Sequence, residues 1–266
     1  MRKLFSPHIK KYILTACSAW TGGVSFLFTI FPNLVECCRW WILGGTFAIA
    51  GVVLLVWMRY HTKVVIHNDN YTVSVEYGDL FDVGDCKVVI PFDECFTTTV
   101  GSNPGDINPP SLCGQFLQKH PGFNQKTIRK LITVAGLSPS QEKSEFGGKT
   151  RYESGRLLLY EDKFLLLAFA KLKKNGRGEL TFEEYCESLS VLWSEIDKYY
   201  GQLDVCIPVI GTGTTRIGDG NISNQELLDV LIGSYIVSRK KIKSCASLRI
   251  ICRREDDINI DKILFG

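Results

Sequence analysis

The chain has 266 residues, 45% of them hydrophobic, and a formal net charge of +3. That length suggests one or two domains, and so small a charge gives no compositional case for nucleic-acid binding. The ten cysteines form no C-x-x-C pair, and only Cys37 and Cys38 are adjacent. A zinc signature and a thioredoxin-like redox motif are therefore excluded, and most of the cysteines read as small buried hydrophobes in a reducing compartment.

Residues 12–31, YILTACSAWTGGVSFLFTIF, and 40–58, WWILGGTFAIAGVVLLVWM, carry no charge. Each is about 20 residues long, enough for an α-helix to cross the hydrocarbon core, where backbone groups must be paired within the segment. Tyr12, Trp40, Trp41, Trp57 and Tyr60 stand at the ends of these runs, as interfacial aromatics do. The connection PNLVECCR is short, so residues 1–60 are expected to form a transmembrane helical hairpin. A signal peptide would have a shorter apolar region and no second span so close behind it. Arg2, Lys3, Lys10 and Lys11 precede the first span, and Arg59 and Lys63 follow the second. By the positive-inside rule both termini, and everything beyond residue 60, are expected in the cytoplasm of a two-pass membrane protein. Thr15, Ser18, Gly22, Ser25 and Thr29 share a helical face, as do Gly44, Ala48 and Gly51. Such faces serve close helix packing, or the Thr/Ser stripe of the first span could turn toward a pore in an oligomer, and both readings predict self-association.

Residues 61–266 read as one α/β domain. YTVSVEYGDLFD (71–82) alternates like a strand ending at Gly78, and CKVVIPF (86–92) is a continuous apolar run, as in a strand covered on both faces. GSNPGDINPPSLCGQF (101–116) is a loop full of turn residues. GRLLLYEDKFLLLAFAKL (155–172) reads as two strands around Glu161-Asp162. Residues 181–200 form a helix with a capping box, Thr181 and Glu184. LDVCIPVI (203–210) is a buried strand. Residues 223–241 form a second helix, capped by Ser223 and Glu226, with Arg239, Lys240 and Lys241 suiting its C-terminal dipole. SLRIICR (247–253) is the last strand. Alternating strands and helices, with one hairpin, predict a mixed sheet flanked by helices.

The stretch CIPVIGTGTTRIGDGN (206–221) joins a buried strand to a capped helix at the carboxyl edge, where open α/β sheets bind ligands. Gly211 and Gly213 permit unusual backbone angles and close approach, successive amides can form an anion nest, and Thr212, Thr214 and Thr215 add hydroxyl donors. Arg216 adds a charged fork, so the chemistry fits a diphosphate. A P-loop is excluded because Arg216-Ile217 is not Lys-Ser/Thr, and a dinucleotide fingerprint would need glycine at 216. An ordinary glycine turn between strand and helix remains the competing reading.

IPVIGTGTTRIG resembles the diphosphate loop of macro domains, the ADP-ribose-binding fold. VEYGDLFD resembles the macro-domain Gly-Asp-Ile strand end whose Asp reads adenine, and VVIPFDECF the segment that places an Asn at the distal ribose. SLCG (111–114) stands where related sequences have Ser-x-His-Gly. YESG, LLLAFAKL and Leu192-Trp193 are similar to landmarks of a bacterial macro subfamily that carries two N-terminal membrane helices and accompanies TIR-domain proteins in Thoeris anti-phage systems. The resemblance covers nearly the whole chain. It implies a macro-domain-like fold with ligand contacts at Gly78, Asp79, Leu80, Phe92, Asp93, Ser111, Cys113, Gly114, Gly211, Thr212, Gly213, Thr214, Thr215 and Arg216. It further implies a bacterial inner-membrane effector, with a homo-oligomer expected. A TIR-domain partner would make an ADP-ribose-derived signal from NAD, in this branch a histidine conjugate, and its binding would damage the membrane.

Two departures stand out, Asp93 for Asn and Cys113 for His. A carboxylate beside an anionic nucleotide is odd unless it meets a cation, so Asp93 or Glu94 is expected to face the amino or imidazole group of an amino-acid conjugate. Solvated acids are the plainer alternative. No cofactor, metal or nucleic acid is expected, and His67 and His120 are isolated. The enzymatic alternative, a membrane-tethered ADP-ribosyl hydrolase, lacks the glycine run of hydrolytic macro domains and a histidine to complete a general base or to activate Cys113. A tethered scaffold whose loop holds nothing is the third reading.

Overall fold

A computed structural model of the chain describes residues 62–243 and 245–263, together with seven further residues, all helical, between positions 18 and 51. The chain groups into two compact units, Met1–Val64 with Ile260–Lys262, and Val65–Asn259 with Ile263–Gly266. Apart from those seven residues, the spans expected over 12–31 and 40–58 lie outside the described residues. No helix among the described residues is long and apolar enough to cross a membrane.

The strands are β1 (Lys63–Asn68), β2 (Tyr71–Tyr77), β3 (Lys87–Asp93), β4 (Leu157–Tyr160), β5 (Phe164–Leu172), β6 (Gly178–Leu180), β7 (Val205–Pro208), β8 (Arg216–Ile217) and β9 (Leu248–Cys252). The helices are α1 (Leu112–Lys119), α2 (Gln125–Ala135), α3 (Phe182–Tyr199) and α4 (Asn224–Val237). The strand order is β1-β2-β9-β7-β3-β5-β6-β8, with β4 paired to β5. Pairs β2–β9, β9–β7, β7–β3 and β3–β5 are parallel, whereas β4 and β6 run antiparallel to β5. The sheet is therefore mixed, and the carboxyl ends of β3, β5, β7 and β9 gather along one edge.

The central strands are buried on both faces, which is why β3, β5 and β7 read as apolar runs. Phe116 and Leu117 of α1 and Ile128 of α2 pack with Val88, Ile90, Leu166 and Cys206 in one core. A second set of buried helical residues comes from α3 and α4, with Trp193 edge-on to Tyr235 at 5.1 Å and Tyr185 edge-on to Phe169 of β5 at 6.0 Å.

Both expected capping boxes are present, Thr181 with Glu184 and Ser223 with Glu226. The β4–β5 turn holds Glu161 and Asp162 at positive φ, 50° each, the twist a tight hairpin demands. Four elements depart from the sequence reading. Helix α1 rises at the end of the loop expected over 101–116, the strand at 203–210 is only four residues, and α4 stops at Val237, while α2 occupies a stretch for which no element was expected. Lys241 nevertheless serves the end of α4, donating from Nζ to the carbonyls of Tyr235, Ile236 and Ser238. Finally, β8 interrupts the 206–221 stretch, so the glycine loop leads into a short strand before the helix.

Candidate functional site

A cleft of about 730 Å³ opens over the carboxyl ends of β3, β5, β7 and β9, within the range typical of small-molecule sites. Pro91, Phe92 and Asp93 form its floor with Phe169 and Ala170; residues 208–216 form one wall; loop residues 105–113 and the β5–β6 hairpin form the other, and Arg253 closes the rim. A second cavity of about 680 Å³ lies between the end of α2 and α3. There Arg151 is paired with Glu142, Arg156 with Glu153 and Glu195, and Lys198 with Glu195, so its cations are committed to the protein.

The glycine loop offers donors. Among the described residues, the amides of Gly211, Gly213 and Thr214 donate to no protein acceptor. Gly211 is half-buried and Gly213 and Thr214 are exposed at the cleft, so these donors stand open to an acceptor from outside, in the manner of an anion nest. Gly211 is required by the fold: its φ is 97°, and a Cβ there would lie 2.2 Å from Ile217 Cδ1. Gly213 is not, because a Cβ would meet nothing within 4 Å. Its openness leaves the backbone approachable from the cleft. The Thr212 hydroxyl is no spare donor, since it gives its proton to the Val209 carbonyl at 3.0 Å, with Asp256 3.4 Å away. Arg216 lines the cleft and joins no ion pair among the described residues, while Arg253 is held by Asp256 at 2.8 Å.

Asp93 and Glu94 part company. The register slips between Phe92 and Asp93, because Phe92 pairs with Ala168 and Asp93 with Ala170. Irregularities of this kind re-aim side chains next to sites. Asp93 Oδ1 accepts the amides of Cys95 (2.8 Å) and Thr97 (3.1 Å), while Oδ2 has no hydrogen-bond partner among the described residues. The residue is 4% exposed, and that burial pushes its carboxyl pKa up against the opposing bonds from Thr97 and Cys95. Glu94 is turned away from the cleft: its carboxylate accepts the Ser144 hydroxyl (2.6 Å) and the Leu172 amide (3.2 Å) and faces Arg151 at 3.6 Å. Of the two acids expected as alternatives, Asp93 lines the cleft and Glu94 is an internal strut.

Residues 73–253 match the family described as Thoeris protein ThsA, Macro domain. The chain belongs to that family. It is 27% identical over 268 residues to the Thoeris protein ThsA of Bacillus amyloliquefaciens (strain Y2), across 97% of this chain and 88% of the relative. It is also similar to the macrodomain of Thermus aquaticus DarG (14% identity, 67% of this chain and 95% of that one, TM-score 0.41). Another similar structure is the Oceanobacillus iheyensis macrodomain with ADP (10% identity, 73% and 90%, TM-score 0.44).

The other positions expected to touch ligand in this ThsA macro domain divide into three groups. Phe92 and Cys113 line the cleft but are buried in its floor and wall. Burial holds the Cys113 thiol far above its ordinary pKa, with the nearby Asp93 charge acting in the same direction, so the thiolate a nucleophile needs is disfavoured. Ser111 caps α1, accepting the Gly114 amide at 3.0 Å and donating to the Asn108 carbonyl at 2.6 Å. Gly114 does not line the cleft; a Cβ there would lie 2.3 Å from the Asn108 carbonyl oxygen and 2.6 Å from that of Pro109. Gly114→Ala is therefore expected to lower stability by about 1–3 kcal/mol, as overpacking against backbone does, read as a shifted denaturant midpoint with an unchanged slope.

Gly78, Asp79 and Leu80 also fall outside the cleft lining. They follow β2, which β9 separates from β7. Asp79 Oδ1 accepts the Phe81 amide at 2.9 Å in a tight turn, and Leu80 belongs to the core. His67 contacts the Thr72 hydroxyl and His120 stacks on Phe116 at 4.5 Å. No metal-ligating cluster occurs among the described residues. The sequence reading missed Arg177 and Arg253, which enter the cleft from a hairpin and from the residue after β9. No local motif marks either one.

Proposed function

We propose that the carboxyl-edge cleft binds an ADP-ribose-derived nucleotide, with its diphosphate on the free amides of Gly211, Gly213 and Thr214. The chain would act as a membrane-anchored effector of anti-phage defence. The observation that carries the reading is those three unpartnered amides beside a cleft large enough for a nucleotide. Membership of the ThsA macro family supports the defence role. In this reading a TIR-domain protein supplies the ligand from NAD, and the unpartnered oxygen of Asp93 favours a conjugate that brings a donor or cation, such as an amino-acid ADP-ribose. Residues 1–60 hold the chain in the bacterial inner membrane as a two-pass hairpin with both termini cytoplasmic. Ligand affinity that differs between closed and assembled states then shifts the population toward homo-oligomers that breach the lipid.

The test is calorimetric titration of the full-length protein with ADP-ribose and with its histidine conjugate, followed by chromatography of the recovered ligand. Saturable binding with intact ligand is expected. Ligand cleaved in proportion to protein would favour the hydrolase reading, and absence of binding to either compound would leave only a scaffold.

A further inference from the structure

The β5–β6 hairpin is pinned to both walls of the cleft. At its tip, the Lys173 amide donates to the Arg177 carbonyl at 2.9 Å, the Gly176 amide to the Lys173 carbonyl at 2.7 Å, and the Arg177 amide to Asn175 Oδ1 at 2.9 Å. Gly176, at φ 78°, lies so close to the facing loop that a Cβ would stand 2.4 Å from the Gly105 amide nitrogen. On the other side, a Cβ on Gly178 would lie 2.8 Å from the Ala170 Cβ and 3.5 Å from Thr215 Oγ1. β6 then pairs in parallel with β8, Glu179 opposite Arg216. Arg177 is thereby fixed one residue from the contact with Thr215, the residue that follows the free amides.

Two of the hairpin's three lysines are engaged, Lys171 with Glu184 at 2.7 Å and Lys173 with Glu145 at 2.9 Å, and the third, Lys174, is not among the residues that line the cleft. Arg177 is not engaged: it is exposed, lines the cleft, and its guanidinium has no hydrogen bond or ion pair among the described residues. A guanidinium presents a planar fork of donors that matches phosphate oxygens and holds its charge at any working pH.

We infer that Arg177 is a ligand-gripping residue, clamping the anionic centre of the nucleotide from the hairpin side while the amides of Gly213 and Thr214 hold it from the opposite wall. This rests on the nucleotide-binding reading above and adds to it a contact that the glycine loop does not supply. The experiment compares full-length wild type with R177A, R177Q and R177K by titration with ADP-ribose at several salt concentrations, alongside melting of the unliganded proteins. R177A and R177Q are expected to bind about 10- to 100-fold more weakly, the span of a charge-assisted hydrogen bond. Their affinity should depend less steeply on salt, R177K should recover part of the loss, and all unliganded melting temperatures should agree. Should R177A be unstable, R177Q carries the same comparison. Wild-type binding with R177A and R177Q within about twofold of it would overturn the inference alone. So would equal losses in all three variants with an unchanged salt response, which mark packing and not charge. Failure of the wild type to bind either ADP-ribose or its histidine conjugate would remove both readings together.

Discussion

The full-length protein carrying Gly213→Asp is expected to fold and melt like the wild type, yet to bind ADP-ribose at least about a hundredfold more weakly and to lack the host-cell toxicity that the proposed effector role predicts for the wild type. The fold should survive because a Cβ at 213 meets no heavy atom within 4 Å, and open surface positions change stability by only about 0.5 kcal/mol. Binding should not survive, because the new carboxylate would stand where the proposed diphosphate meets the amides. Two like charges about 4 Å apart near a protein surface repel by a few kcal/mol, more than enough for a hundredfold change. Gly211→Ala is the wrong probe of the same loop: its positive φ and the 2.2 Å approach to Ile217 would disturb the fold first. Titration plus melting of Gly213→Asp separates the two effects. Undiminished ADP-ribose affinity in a folded variant would remove the glycine loop from the binding site.

The contrast between these two glycines shows how far the sequence could be read. G-T-G-T-T at the end of an apolar run is a local signal, and it located the wall of the cleft. Which glycine serves the fold and which serves a ligand depends on Ile217, and Ile217 is placed by the pairing of β8 with β6, two very short strands far apart in the chain. Nothing local marks such strands, and Arg177 was missed for the same reason. Helices α1 and α2 did carry signals. Ser111 caps the first; Asn124 caps the second, accepting the Lys126 amide at 2.9 Å, and Gly136 ends it at φ 60°. The Pro, Asn and Gly of residues 101–110 outweighed the first, and the stretch holding the second carried no expectation. Capping boxes, the β4–β5 turn and the buried parallel strands were legible because each depends on residues within a few positions. Asp93 and Glu94 looked equivalent because nothing in a pair of adjacent acids reveals a register slip.

That slip sets up the second large effect. Asp93→Asn is expected to stabilise the unliganded protein at neutral pH by about 1–2 kcal/mol, since it removes a buried carboxylate with one unpaired oxygen yet keeps an acceptor for the Cys95 and Thr97 amides. The sign follows from linkage. Burial raises the native carboxyl pKa above its unfolded value of 3.8, so between those two values the native state holds the proton more firmly than the unfolded chain. Wild-type stability from this group is therefore full below the unfolded value, falls as pH rises toward the raised native value, and stays low above it. Asparagine cannot titrate, so the gap between variant and wild-type melting curves should widen from about pH 4 upward and then level off. A gap of constant size across that window would mean that Asp93 is not the strained group its surroundings imply. In the proposed complex a donor or cation of the conjugate that reaches the buried Oδ2 would satisfy it and favour the ionised form, reversing that balance. The wild type should thus prefer the histidine conjugate over plain ADP-ribose, and Asp93→Asn should lose that preference by about tenfold or more, the worth of a hydrogen bond to a charged partner. A preference that persists in the asparagine variant would show that the conjugate is read elsewhere in the cleft.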